Sequence, residues 1–301
     1  MAMAIKPAFS ISKQIQQLKS RGMLFHNEEN AAHYFSTISY YRLQGYWWDT
    51  QSDRLSHTFQ PNTYFESIIE RYNFDRHLRL ILFDAIERIE IALRAKMIYH
   101  MSLKYGALWY KESELFHNSD MHATHLSRIF KEFGYSQEIF IKDHKRKHAH
   151  QDPESWKILE VVSMGTLSKL YKNLAHQLPE KTIIAKDMGL HIHSELSSWL
   201  EAIVYVRNII AHHSRLWSRN MVKRPKDDIA TPMFDWLDQP LDEVQKKKPF
   251  LIITTLVYLS NKVTPGHHIK DKIIELFNNH PDIPIYKMGF FNNWNNQSIW
   301  K

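Results

Sequence analysis

The heptapeptide Arg207-Asn208-Ile209-Ile210-Ala211-His212-His213 holds the side chains best suited to chemistry. The spacing Arg-x4-His occurs twice, here and at Arg21/His26, where the 14 arginines and 19 histidines of the chain make one match expected by chance. Gly22 lies inside the first match and reads as a helix stop, so that pair reads as coincidence. On a regular helix five residues turn through about 500°, leaving Arg207 and His212 roughly 140° apart. They would flank a cleft rather than touch. Asn208 and His212 are i and i+4 and share one face, so Asn208 is placed to orient the imidazole. His213 is a close candidate helper.

Such groups suit RNA cleavage without a metal. The 2′-hydroxyl attacks the adjacent phosphate, and histidine exchanges protons near neutral pH. Arginine's planar fork stabilises charge developing on phosphate oxygens. DNA lacks the 2′-hydroxyl and should resist. The same residues also fit a helix-end arginine in a salt bridge beside a half-buried histidine, and spacing does not separate the two. Downstream, Arg215, Arg219, Lys223, Arg224 and Lys226 lie in a stretch without acids, with Trp217 interleaved. That reads as a phosphate track with a stacking surface, or as a solvated basic face.

Composition limits what can position these groups. The chain has 301 residues, 8 glycines and no cysteine. Thiolate zinc sites, iron–sulfur clusters and cysteine nucleophiles are excluded. Neither GxGxxG nor GxxxxGK[ST] is present, so no familiar phosphate-cradling loop exists. The net charge of +7 weakly favours a polyanionic partner. The start lacks an apolar run of leader length and the longest apolar stretch, 250–259, is too short to span a bilayer. The expectation is a cytoplasmic protein with no membrane partner.

Helical periodicity predicts an all-α chain. Tyr64 to Leu103 reads as one long helix or two in series, stopped at Gly106. Shorter helices are expected at Ser12–Leu18, Glu28–Tyr41, Ser119–Phe133, Trp156–Leu174 with a kink near Gly165, Ser194–His213, Phe250–Val263 and His268–Asn278. Residues 51–61 and 219–240 read as polar connectors, and 142–153 as a loop or helix end. The aromatic tail, 281–301, should dock. Glu87, Glu90 and Arg94, like Asp75 and Arg79, have ion-pair spacing. They read equally as groups that aim Arg207 or His212 and as structural pairs. Glu90 and Arg94 are the stronger supporting candidates. The histidines at 144, 148, 150, 191 and 193 form no firm metal pattern. Tyr40, Tyr41, Trp47 and Trp48 read as core.

Several blocks in order carry a resemblance. They are Leu18–Gly22, Tyr40-Tyr41-Arg42-Leu43-Gln44-Gly45-Tyr46, Tyr72-Asn73-Phe74-Asp75-Arg76-His77-Leu78-Arg79 and Ile86–Arg94. Tyr105-Gly106, Trp109-Tyr110, the heptapeptide at 207–213, Arg215-Leu216-Trp217, Met288-Gly289-Phe290, Trp294 and Trp300 follow. On these the sequence resembles the Abi family of abortive-infection proteins, of AbiD and AbiF type, within the HEPN superfamily. The resemblance implies a HEPN-like helical bundle with additional N- and C-terminal helices, and a single Abi-type domain over 1–301. Its parts would be an N-terminal extension (1–60), a HEPN-like core (61–218), and a connector with a helical pair (219–301). It implies a homodimer whose Arg-x4-His motifs meet in one composite endoribonuclease site, without cofactor or metal. It further implies a toxin-like role in antiviral defence, and admits a small-RNA or protein antitoxin as partner. Some such domains bind RNA or serve assembly without cutting, so a non-catalytic RNA-binding or sensor module stays open as the alternative.

Overall fold

The computed structural model describes residues 7–230 and 232–301. Residues 1–6, part of the stretch read for a leader, and Thr231, in the expected connector, lie outside the described residues. Twelve α-helices and one two-stranded hairpin are found among the described residues, and the fold is all-α. The chain divides into two compact units at Arg79/Leu80, inside one long helix.

The first unit comprises residues up to Arg79 with Asn279–Ile283. It opens with α1 (Ile11–Ser20) and α2 (Glu28–Thr37). The expected helix at Glu28–Tyr41 is in fact two. Ile38 turns extended, and Ser39 accepts the backbone N–H of Arg42 and starts α3 (Tyr40–Trp47). A serine that caps locally outcompetes continuation of the helix. The expected polar connector folds into the antiparallel pair β1 (Gln51–Asp53) and β2 (Thr58–Phe59). Of the four aromatics expected in the core, Trp47 is buried and Tyr40 half-buried, whereas Tyr41 and Trp48 are exposed. Two sequence blocks meet here. Tyr46 donates its hydroxyl to Asp75 Oδ2 at 2.6 Å, and Arg79 pairs with the same oxygen at 3.3 Å. Asp75 is fully buried, so its charge needs both partners. Burial and that carboxylate push the Tyr46 hydroxyl well above its ordinary pKa.

The helix α4 (Phe65–Tyr105) is continuous over 41 residues and ends at Gly106, whose φ of +85° suits only glycine without strain. The second unit takes its Leu80–Tyr105 part and continues to Asn278, with Pro284–Lys301 added. Its helices are α5 (Ser119–Tyr135), α6 (Ile139–Lys147), α7 (Ser155–Ile158), α8 (Met164–Asn173), α9 (Pro179–Asp187), α10 (His193–Ala211), α11 (Pro249–Val263) and α12 (Ile269–Asn279). The kink expected near Gly165 is a full break. Val162 is extended, and Ser163 caps α8 by accepting from Thr166 N. Gly165 sits inside α8 where that helix meets α10, with Val204 3.8 Å from where a Cβ would stand.

α10 is fixed by the stripe Leu196, Trp199, Leu200, Ile203, Val206 and Ile210, all buried. Each such side chain contributes about 1.5–3 kcal/mol. This makes α10 a stiff platform, packed on α8, α9 and α11. The aromatic tail docks as expected: Phe290 lies 4.8 Å from Phe250 and 4.9 Å from both Phe277 and Trp294, ring centre to ring centre. Trp300 is buried against Trp294 at 4.9 Å.

Candidate active site at the end of α10

The heptapeptide closes α10. His212 is the C-cap, and its backbone N–H reaches Asn208 O at 3.1 Å. His213 then turns left-handed at φ +53°. The N–H of His213 bonds Ile210 O at 2.9 Å, and that of Ser214 bonds Ile209 O at 2.9 Å. This double bond pattern is the Schellman ending, with histidine where glycine is usual. A left-handed histidine costs about 1 kcal/mol, a strain that folds keep where a side chain must be aimed.

Arg207 is half-buried in the last turn, while Asn208, His212 and His213 are exposed. Among the described residues, the side chains of Arg207, Asn208 and His212 form no hydrogen bond or ion pair. The expected Asn208–imidazole bond is therefore not made. The i,i+4 spacing holds, since the His212 N–H bonds Asn208 O, but both residues are exposed and spacing alone does not dictate a side-chain bond. Positive charge is favoured here by the carbonyl end of the helix dipole.

The supporting pair on α4 has a different setting. Arg94 is buried and donates Nη2 to Glu90 Oε1 at 2.7 Å. Its Nη1 donates to Val162 O at 3.0 Å and to Leu159 O. The guanidinium thus holds the break between α7 and α8. Glu87 is exposed.

The expected phosphate track splits. Trp217 is fully buried and offers no face to a base, a correction to its reading as a stacking surface. The segment drives the indole inward as soon as α10 ends. Lys223 pairs with Glu201, which Lys172 also reaches at 2.9 Å, and both hold the Glu201 carboxyl below its ordinary pKa. Arg224 lies 3.8 Å from Glu243, and Lys226 4.0 Å from Asp228. Glu201 and Glu243 arrive from other segments, and Asp228 lies just past the end of the run. Arg215 and Arg219 go elsewhere: Arg219 Nη1 donates to Arg215 O at 2.9 Å, and Arg215 Nη1 to Trp217 O at 2.9 Å. Two lysines of the C-terminal part, Lys248 and Lys287, stand beside them, and no sequence signal pointed to these.

A groove of about 970 Å³ between α5, α6 and the Leu159–Val161 turn contains none of the motif residues. Its Glu132 is tied to Ser163 N at 2.6 Å and to Thr166. Among the described residues no group of three or more His, Cys, Asp or Glu is arranged to hold a metal ion. His117, His176 and His193 do form a row, with ring centres 4.9 and 5.2 Å apart. The Lys181 ammonium pushes His176 below the ordinary histidine pKa, and burial, with the same charge, does so at His193; burial does the same at His125 and His267. Unfolded, these groups bind protons more readily, so the stability they give is present above pH ~6.5 and is lost as pH falls through their native values. The melting temperature should drop steadily from pH 7 to pH 5 in a calorimetric series. A flat profile would contradict the lowered values.

The family model for Abi-like proteins matches residues 33–218, more than half of the chain. The chain belongs to the Abi-like protein family. The match takes in the heptapeptide, Glu90 and Arg94, and stops just after Trp217. No curated protein and no solved structure matches the chain. Family membership points this Abi-like protein to a role in abortive infection, a form of defence. Among the described residues no helix is long and apolar enough to cross a membrane.

Proposed function

We propose that this Abi-like protein is a metal-independent endoribonuclease of HEPN type, acting in phage defence as a toxin-like enzyme in the cytoplasm. The observation that carries the reading is the end of α10. Arg207 and His212 stand on a rigid helix terminus inside the family-matched stretch, with side chains engaged by no other described group. Structural arginines and histidines are usually bonded; these two are available.

In this reading His212 takes the 2′-hydroxyl proton or hands one to the departing 5′-oxygen. Arg207 steadies the charge gathering on the phosphate. One bond forms from the 2′-oxygen to phosphorus, and the bond to the 5′-oxygen breaks. The products are a 2′,3′-cyclic phosphate and a 5′-hydroxyl. Regular helix spacing sets the two side chains apart around the axis, and on that geometry a second copy would complete the site. A ridge on α4 supports pairing of two copies. Ile91, Tyr99 and Leu103, in the i,i+4 row through Ala95, are 57%, 61% and 73% exposed. Such a row is the kind that interdigitates when two helices cross.

Purified protein should cut single-stranded RNA in the presence of EDTA and leave 2′,3′-cyclic phosphate ends. The same strand with a 2′-deoxynucleotide at the cleaved position should survive. Loss of cleavage in chelator would point to a metal site instead. Tight, salt-sensitive RNA binding without cyclic products would favour the non-catalytic RNA-binding reading.

A further inference from the structure

We propose that Tyr41 and Trp48 form a stacking platform for the bases of single-stranded RNA, with Arg21 and Arg54 beside it for the strand's phosphates. The platform lies wholly in the first compact unit, and it rests on RNA being the ligand of the function proposed above. Both aromatics were expected in the core, yet Tyr41 is 82% exposed and Trp48 43%. A ring left in water forgoes the stabilisation that burial brings. Two such rings on one short helix are a cost that a stacked ligand would remove.

Their spacing makes them one surface. Seven residues on a helix turn through about 700°, close to two full turns, and rise about 10 Å. Trp48 follows directly on α3 with helical backbone angles, so the spacing sets both rings on one face of that helix. Gly45 lies between them on the same face and adds no side chain. The opposite side of α3 is anchored by Leu43, Tyr46 and Trp47, all buried, and by the bond from Tyr46 to Asp75. A rise of about 10 Å equals three base steps of about 3.4 Å, so neighbouring bases of one strand can reach both rings.

Each ring has a cation at hand. The Arg54 guanidinium carbon lies 5.7 Å from the centre of the Trp48 ring. Arg21 Nη1 donates to the Tyr40 hydroxyl at 3.2 Å, and the Tyr40 ring meets Tyr41 edge-on with centres 5.9 Å apart. Among the described residues neither of these arginines has an ion-pair partner. The acids nearby are engaged. Asp49 pairs with Arg71 at 3.5 Å, and Asp53 accepts from Leu55 N, Ser56 N and Ser56 Oγ inside the hairpin turn. Open rings beside guanidiniums that no acid holds suit a polyanion carrying flat bases. A duplex hides the faces of its bases, whereas a single strand offers them. Leu55, 95% exposed in the same turn, is the aliphatic side chain that a lipid surface would use, and it serves as the control.

The test uses the full-length chain carrying His212→Ala, so that RNA stays intact, and follows a labelled oligoadenylate strand by fluorescence anisotropy across a salt series. Tyr41→Ala and Trp48→Ala should each weaken binding by about five- to a hundredfold, with the slope of log K against log salt unchanged. Tyr41→Phe and Trp48→Phe keep a ring and should recover most of the affinity. Arg54→Gln should weaken binding severalfold and lower that slope by about 0.7. Leu55→Ser should bind like the parent, and melting curves check that every variant is folded. An oligoadenylate–oligouridylate duplex should not distinguish the alanine variants from the parent. The platform is wrong if folded Tyr41→Ala and Trp48→Ala proteins keep the parent's affinity, if the duplex shows equal losses, or if no RNA binds. Parent affinity for RNA with lost binding to phosphatidylglycerol vesicles, in Leu55→Ser as in the ring variants, would assign the patch to lipid instead. Failure of the ribonuclease reading looks different. The strand would then bind with the expected losses, while protein with His212 intact makes no cyclic phosphate.

Discussion

Replacing His212 with alanine should slow RNA cleavage by about two to four orders of magnitude, with no change in melting temperature. The reasoning starts from the helix end. His212 is exposed, and its contribution to the fold is a backbone N–H that alanine keeps. Its side chain holds no other described group, so removing it leaves no buried partner unsatisfied. What disappears is the proton carrier. Arg207→Ala should lose about two to three orders of magnitude, the usual scale for one group that stabilises a developing oxyanion. Arg207 is half-buried, so a small stability loss from its stem is expected. The two losses should not add, because proton transfer and charge stabilisation serve one transition state. Dilution adds a separate handle. If two copies complete the site, activity per chain should fall as the protein is diluted through its dimer constant. A folded His212→Ala protein that cuts RNA at the wild-type rate would sink the mechanism. Loss of toxicity on expression of the same variant is the quick cellular counterpart.

Helices were legible because their signal is local. The apolar rows of α4 and α10 repeat at threes and fours, and packing obeyed them. The failures lie where a single side chain outweighs the period. Ser39 and Ser163 each capture a backbone N–H and start a new helix inside a run that reads as continuous. For the candidate site, the motif named Arg207 and His212, whereas the bond assumed for Asn208 asked more of i,i+4 spacing than it dictates between two exposed side chains. The basic run was the least legible part. Glu201 and Glu243 pair with two of its five cations from other segments, while Lys248 and Lys287 stand near Arg215 and Trp217. Such pairings are tertiary, and no window on one segment contains them.

Arg94→Ala should destabilise the protein by about 3–5 kcal/mol, which in a chain of this size lowers the melting temperature by on the order of 10 °C. The arginine occupies the centre of a buried junction. It donates to Glu90 and to the carbonyls of Leu159 and Val162, where the chain breaks between α7 and α8. Alanine would strand a carboxylate and two buried acceptors at once. Lysine should recover little of the loss, because one ammonium cannot reproduce a planar fork that serves three acceptors. Glu90→Gln should be much milder, since the amide oxygen can still accept from Nη2. The same series decides what this pair does for cleavage. A role in holding α8, and through it α10, predicts that lost activity follows lost stability. Cleavage per folded molecule, measured well below the melting transition, should then stay close to wild type. An Arg94→Ala protein that melts normally yet cuts poorly would instead place the guanidinium in the chemistry. Differential scanning fluorimetry beside a single-turnover cleavage assay separates the two.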